Sequence, residues 1–206
     1  QLRTRWSLSA RHWILLQKPP QVCMSDEYSA LRTDLYHVTM AYGFWKSGLE
    51  RREGIFHMLF RTAPFQGGFT VACGLEDVIR YIQNFHFSAS DLEYLATLRG
   101  SDGQRLLEPA FLDYLRDMEL CCTVDAVPEG TIVFPYEPLL RIQGPLIQCQ
   151  LLESHLLNLI NFQTLIATKA ARMCLAAQGQ AVLAFGLRRS QGSDGALAAS
   201  RAAYVG

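Results

Sequence analysis

The chain has 206 residues, half of them apolar, with 19 basic and 19 acidic side chains and a formal net charge of zero. That is enough for one domain, or for one and part of a second. A balanced, mixed composition excludes a strongly basic nucleic-acid surface and a low-complexity chain. Six cysteines, at 23, 73, 121, 122, 149 and 174, show no zinc or redox spacing and read as reduced cytosolic thiols. The five histidines are also scattered.

Residues 1–23 differ from the rest. They hold Arg3, Arg5, Arg11 and Lys18 with no acid, and Pro19-Pro20 mark a break. The pattern has the character of a transit peptide, but the sequence after Met24 is self-sufficient. Residues 1–23 are therefore expected to be a non-native or disordered extension. Thr33-Asp34 then open a helix in which Leu35, Val38, Thr39, Tyr42 and Trp45 recur at helical spacing, and Gly48 ends it. Strands are expected over 54–61 and 69–73, separated by Pro64, Gly67 and Gly68. Gly74 opens a helix over 75–85. Two short helices come next over 90–98 and 109–117, with Ser88 and Ser90 as candidate N-caps.

Residues 123–147 change texture. Short β runs broken by Pro128, Gly130, Pro135, Pro138 and Gly144-Pro145 predict a small antiparallel sheet. The apolar stretch 146–167 contains Gln148, Gln150, Glu153, His155, Asn158, Asn161 and Gln163, which is too polar for a membrane span. One long helix over 151–178, buried between two layers, is expected, with Gly179 as its stop. The predicted organisation is an α+β domain over 24–150, this connecting helix, and a strand-loop-helix unit over 179–206.

The last unit carries the chemistry. An apolar run over 181–185 reads as a buried strand, followed by Gly186, Arg188, Arg189 and the Gly-Ser-Asp-Gly turn at 192–195. Glycines admit a ligand close to the backbone, and guanidinium groups grip phosphate or carboxylate in a bidentate way. A parallel strand needs a partner after its crossover, so the unit is expected to be the front of a longer α/β structure.

Five stretches together resemble the nicotinate phosphoribosyltransferases: LRTDLYHVTM from Leu31, FRTAPFQGGFTVACGLEDVIRYIQNF from Phe60, AVPEGTIVFPYEPLLRIQGPL from Ala126, LLNLINFQTLIATKAARM from Leu156, and FGLRRSQGSDGALAASRAAYVG from Phe185. The resemblance implies an α/β fold of the type II phosphoribosyltransferase kind, here truncated: an N-terminal sandwich-like domain and the start of an irregular α/β barrel. It implies formation of nicotinate mononucleotide and pyrophosphate from nicotinate and phosphoribosyl pyrophosphate, coupled to ATP hydrolysis with Mg²⁺ or Mn²⁺, in NAD biosynthesis. It further implies a cytosolic homodimer with shared sites and neither nucleic acid nor membrane as partner. On the resemblance, Tyr36 stacks on the pyridine ring from the neighbouring subunit, Arg188 faces the phosphoribosyl group, and Phe185 is a ring-stacking side chain. Arg189 stands beside them as a substrate-binding candidate.

Two positions depart from the family's pattern. Ala184 stands where Glu is usual, which leaves Arg188 without an orienting carboxylate, and Ser190 stands where Ala is usual. The family's phosphohistidine segment matches none of the five histidines, so no catalytic or metal-binding residue is assigned within this chain and the chain alone is expected to be inactive. The alternatives are a non-catalytic short form that pairs with longer subunits, and a nicotinamide or quinolinate phosphoribosyltransferase relative. His37 points about 100° from Tyr36 on a helix and is given a structural or dimer-contact role. His57 reads as a packed or surface histidine, and Lys169 as a polar break on a buried helix. Arg61, beside the Pro64–Gly68 turn, is a further candidate for an anion site.

Overall fold

The computed structural model describes residues 27–206. The extension expected over 1–23 lies outside the described residues. Asp34, in extended conformation, leads into helix α1 (Leu35–Lys46), and Gly48, at φ +67°, turns the chain out of it. Strand β1 (Glu53–Met58) comes next, then a single 3₁₀ turn at Pro64–Gln66 and strand β2 (Thr70–Val71). Helices α2 (Leu75–Asn84), α3 (Ala89–Thr97) and α4 (Pro109–Arg116) continue the chain. Ser88, not Ser90, caps α3: its hydroxyl accepts from the Asp91 amide at 3.1 Å, and the Asp91 carboxylate accepts from the Ser88 amide at 3.0 Å.

The antiparallel sheet expected from residues 123–147 is present, in two pieces. Strand β5 (Leu140–Pro145) lies between β1 and β3 (Thr123–Ala126), with Glu53 opposite Pro145 and Thr123 opposite Gln143. Strand β4 (Ile132–Val133) pairs with β2. Helix α5 spans Leu146–Ala177, 32 residues, and starts directly at the end of β5, five residues earlier than its sequence pattern suggests. Pro145 explains the early start. Its fixed φ ends the strand, and it precedes a helix whose first amides need no intrahelical partner.

Three groups of buried side chains are strung along α5. Ile147 and Leu151 pack with Val38, Ala41, Leu95, Phe111 and Leu115 of α1, α3 and α4. Cys149, Leu152, Leu156 and Ile160 pack with Val78 and Tyr81 of α2 and with the sheet. Ala167 packs with Val71, Cys73 and Ala202, the last from helix α6 (Gly192–Val205). Ala167 and Ala202 are both fully buried, and Gly206 sits hard against the Ala167 carbonyl, so small residues let α6 lie close to α5. His155 is half-buried against the Tyr81 ring, 4.2 Å between centroids, and burial pushes its pKa down to about 4.

The strand expected over 181–185 does not form. Residues 180–186 have no regular structure, and Leu183 and Phe185 are each 75% exposed. An extended segment becomes a strand only by pairing, and among the described residues no strand pairs with it. The full burial expected of α5 also fails at its C-terminal end, where Leu175 is 70% exposed. No helix among the described residues is long and apolar enough to cross a membrane.

Gly74 shows how tightly α5 is seated. It enters α2 at φ +107°, and a Cβ there would lie 2.8 Å from the Leu159 carbonyl oxygen. Backbone cannot give way as a flexible side chain can. Gly74→Ala is expected to cost roughly 2–4 kcal/mol, from strain plus overlap. Gly179→Ala has only its φ of +89° to oppose it, with nothing within 4 Å of the added Cβ, and is expected to cost about 1–2 kcal/mol. Urea denaturation of the two variants checks the ranking.

Candidate functional site

Tyr36 lies on the first turn of α1 and is 54% exposed. It lines an open groove of about 500 Å³ with Asp34, Phe60, Glu153, Ser154 and Asn158. Its ring meets His37 edge-on at 4.1 Å between centroids. His37 is itself 1% exposed. Its Nδ1 is 3.1 Å from Thr33 Oγ1 and 3.2 Å from Ser154 Oγ, and its Nε2 is 3.7 Å from Glu153 Oε2. Ser154 donates its own proton to Asp34 Oδ2, and its oxygen stays within hydrogen-bond distance of His37 Nδ1. His37 is thus a buried strut between α1 and α5, in keeping with the structural role expected for it. His57 is exposed on β1.

Phe185 and Arg189 line a second open groove, also about 500 Å³, between α5 and α6. Its floor is one face of α5, formed by Ile166, Lys169, Ala170, Met173 and Cys174. These positions repeat at i, i+3, i+4, i+7 and i+8, the face spacing of a helix. Arg188 lies on the same exposed 3₁₀ turn, Leu187–Arg189, but does not line the groove. The two grooves lie along successive stretches of α5, so this subunit does not gather Tyr36 with Phe185 and Arg189 in one cavity.

Electrostatically the grooves differ. The Tyr36 groove carries the acids Asp34 and Glu153. The Phe185 groove carries Lys169 and Arg189 and no acid, which suits an anionic ligand. Sequence pattern undervalues Lys169. Its ammonium stands 4.8 Å over the Phe65 ring, and Phe65 is held at φ +59° in the turn after β1. The helical spacing of Lys169 with Met173 is the signal that could have found it.

Sequence reasoning also misses Arg201 on α6. Its guanidinium pairs with Glu129 and, at 2.7 Å, with Glu76, and it donates to Gln163 Oε1 at 3.2 Å. Glu129 in turn accepts from the Gly74 amide at 2.7 Å, capping α2 from the turn between β3 and β4. Burial alone would raise the Glu129 carboxyl, but the Arg201 hydrogen bond and the Gly74 and Glu76 amides outweigh it, and its pKa lies below the ordinary value. The Glu76 carboxyl is lowered chiefly by Arg201 as well.

The profile of the nicotinate phosphoribosyltransferase (NAPRTase) N-terminal domain matches residues 31–161. The chain belongs to this family. Among curated nicotinate phosphoribosyltransferases it is 46% identical to that of Caenorhabditis elegans and 43% identical to that of Homo sapiens, each over 178 residues. Those alignments cover 85% of this chain but 31% and 32% of the relatives, so the chain spans about a third of their length. The crystal structure of human nicotinic acid phosphoribosyltransferase superposes with a TM-score of 0.75 at 43% identity, over 84% of this chain and 34% of that one. A nicotinate-nucleotide pyrophosphorylase from Pyrococcus furiosus, 24% identical with a TM-score of 0.62 over 91% of this chain and 39% of that one, supports the fold alone. The mixed α/β architecture is therefore that of the NAPRTase N-terminal domain.

Replacing Arg201 leaves a half-buried Glu129 carboxylate with only backbone amides. Arg201→Ala is expected to lose roughly 1–3 kcal/mol at about pH 6. The folded Glu129 pKa is depressed below its unfolded value of about 4.3. Its contribution is therefore present above that value and lost as pH falls through the folded pKa. Urea midpoints of the native chain and of Arg201→Ala should consequently differ clearly at about pH 6 and converge as pH falls through the depressed folded pKa.

Proposed function

We propose that this chain is the N-terminal part of a nicotinate phosphoribosyltransferase acting in NAD biosynthesis, a cytosolic homodimer that joins nicotinate to phosphoribosyl pyrophosphate with ATP hydrolysis. Family membership supports the reaction. The observation that carries the site is the acid-free groove on α5, where Phe185 offers an aromatic face and Lys169 and Arg189 offer two cations. An aromatic face beside fixed cations fits a flat pyridine ring and a phosphorylated sugar.

In this reading the pyridine nitrogen attacks the anomeric carbon of the ribose. The new C–N bond forms as the C–O bond to pyrophosphate breaks, and the electron pair leaves with pyrophosphate. Arg189 and Lys169 stabilise the charge that develops on the departing phosphates, and Arg188, on the same turn, faces the phosphoribosyl group. Tyr36 comes from the other subunit and closes over the ring. Its exposure on α1, away from the Phe185 groove, supports a shared site. Ala184 leaves Arg188 to be oriented by substrate.

Among the described residues no group of three or more His, Cys, Asp or Glu is placed to hold a metal ion. Mg²⁺ is commonly held by substrate phosphates with one or two carboxylates, where it neutralises phosphate charge. The described residues do not fit a dedicated metal cage, and no step is assigned to the ion.

In a subunit of the relatives' full length, Arg188→Ala and Arg189→Ala are each expected to raise KM for phosphoribosyl pyrophosphate and lower kcat. Loss of a charge-assisted anion contact costs roughly 1.5–3 kcal/mol, or about 10- to 150-fold in kcat/KM. Unchanged kinetics in both would remove this loop from the site. Tyr36→Ala should weaken nicotinate binding by roughly 1–3 kcal/mol, with Tyr36→Phe milder. Mixing Tyr36→Ala subunits with Arg188→Ala subunits tests the sharing: each mixed dimer then has one intact site, and activity recovers above either variant alone. No recovery, with mixed dimers shown to form, would place Tyr36 in its own subunit's site or in none.

A further inference from the structure

Three cysteines meet where β3, β5 and α5 join. Cys121 and Cys122 directly precede β3, and Cys149 lies in the first turn of α5. Cys121 is exposed, Cys122 is half-buried and Cys149 is buried. Gln148 fixes this corner. Its Oε1 accepts from the Cys121 amide at 2.9 Å and from the Cys121 and Cys122 thiols at 3.6 and 3.4 Å, while its Nε2 donates to the Glu119 carbonyl at 2.8 Å. Gly144 admits Cys122 to the end of β5, since a Cβ there would lie 2.7 Å from the Cys122 sulfur. Gly144 lies opposite Gly54 in the pairing of β5 with β1, and the Cys149 thiol donates to the Gly54 carbonyl at 3.8 Å, so the Cys122 and Cys149 sulfurs both lie against this pair of glycines.

The two sulfurs are not equivalent. The neighbouring Cys122 thiol favours the thiolate of Cys149 and holds its pKa below the ordinary thiol value, even though burial works the other way. The same neighbour raises Cys122 in turn, and burial adds to it. Cys149 also borders a small cavity of about 90 Å³, open to the surface, with Phe56, His57, Met58, Leu156 and Leu157. A small uncharged oxidant fits such a cavity, because one water occupies about 30 Å³ of liquid.

We propose that Cys149 and Cys122 form an oxidation site, in which a hydroperoxide converts the pair to a disulfide that staples the start of β3 to the first turn of α5. The Cys149 thiolate attacks one peroxide oxygen. An S–O bond forms, the O–O bond breaks, and hydroxide leaves to be protonated to water. Cys122 then attacks the sulfenic sulfur as it gives up its proton. The S–S bond forms, the S–O bond breaks, and the second oxygen leaves as water. In sum, two thiols and one hydrogen peroxide give one disulfide and two waters, the two electrons passing from sulfur to peroxide. Cys122 stands ready as the resolving thiol, so the sulfenic acid is captured before it is oxidised further. The staple would fasten the helix just over one turn ahead of Ser154, which contacts Asp34 and His37 at the start of α1.

The test is a peptide map of the 206-residue chain. The chain is purified reduced, treated with hydrogen peroxide, alkylated and digested with trypsin without reductant. Cleavage after Arg116, Arg141 and Lys169 yields peptides 117–141, carrying Cys121 and Cys122, and 142–169, carrying Cys149. A reductant-sensitive link between these peptides is expected, with fragmentation assigning it to Cys122. It should persist in Cys121→Ser and disappear in Cys122→Ser, where Cys149 should instead advance to the sulfinic acid. A Cys121–Cys122 bond, a link through Cys121 or Cys174, or an unlinked sulfinic Cys149 in the native chain would overturn the proposal. Assignment by fragmentation in the native chain decides the matter even if Cys122→Ser fails to fold.

Discussion

Everything in this structure leans on one central helix. Helix α5 supplies Ile147 and Leu151 to the α1–α3–α4 core, Cys149, Leu152, Leu156 and Ile160 to the sheet and α2, and Ala167 to the contact with α6. It also supplies polar contacts that backbone alone could not make. Thr164 Oγ1 accepts from the Cys73 amide at 3.1 Å and donates to its carbonyl at 3.0 Å, and Thr168 Oγ1 accepts from the Val71 amide at 2.9 Å. These hydroxyls satisfy backbone groups in and beside a two-residue strand that would otherwise be buried without partners. A helix that both buries apolar surface and completes a strand's hydrogen bonding cannot slide along its axis without losing both. That rigidity gives the two grooves along α5 fixed floors.

The C-terminal segment is held differently. Residues 180–190 cross the mouth of the second groove almost wholly exposed. Their position is set by helix α6, into which they run. That helix is clamped by small-residue packing at Ala202 and by Arg201, which bridges to Glu76 on α2 and to Glu129 in the turn between β3 and β4. An exposed loop between two anchored helices is free to adapt, and loops carried by a rigid frame commonly bear the binding groups. Phe185, Arg188 and Arg189 therefore sit on the adaptable part of the unit, and Lys169 on its rigid part.

How legible these features are in the sequence depends on how local their causes are. The helices are legible because periodicity, Pro109, the Ser88 cap and the Gly48 and Gly179 stops act within a few residues of themselves. The sheet of residues 123–145 is legible from its proline and glycine punctuation. The run 181–185 misleads because an apolar segment states only that it wants covering, and pairing depends on a partner that local pattern does not reveal. Arg201 is invisible for the same reason. Its partners lie 125 and 72 residues away, and a single arginine in an alanine-rich helix looks like a solvated one. Tyr36, Phe185 and Arg188 come from family resemblance, since periodicity alone leaves Tyr36 as one more packing aromatic. Lys169 reads in the sequence only as a polar break, because its meaning lies in the ring of Phe65 beneath it and in Arg189 across the groove.

The placement of charge around α5 supports the proposed sharing of a site between two subunits. Asp34 and Glu153 stand beside Tyr36, so the groove it lines repels the carboxylate of nicotinate and the phosphates alike. The cations Lys169 and Arg189 stand over the later turns of the same helix. A rigid helix cannot bend to bring these turns together. If Tyr36 is to meet an anionic ligand held by Arg189, it must reach a groove other than its own, and a second copy of the chain supplies one without any change of fold. The buried His37 fits that requirement. By tying Tyr36's helix to α5 through Thr33 and Ser154, it presents the tyrosine ring outward from a fixed base, as a side chain offered across an interface must be.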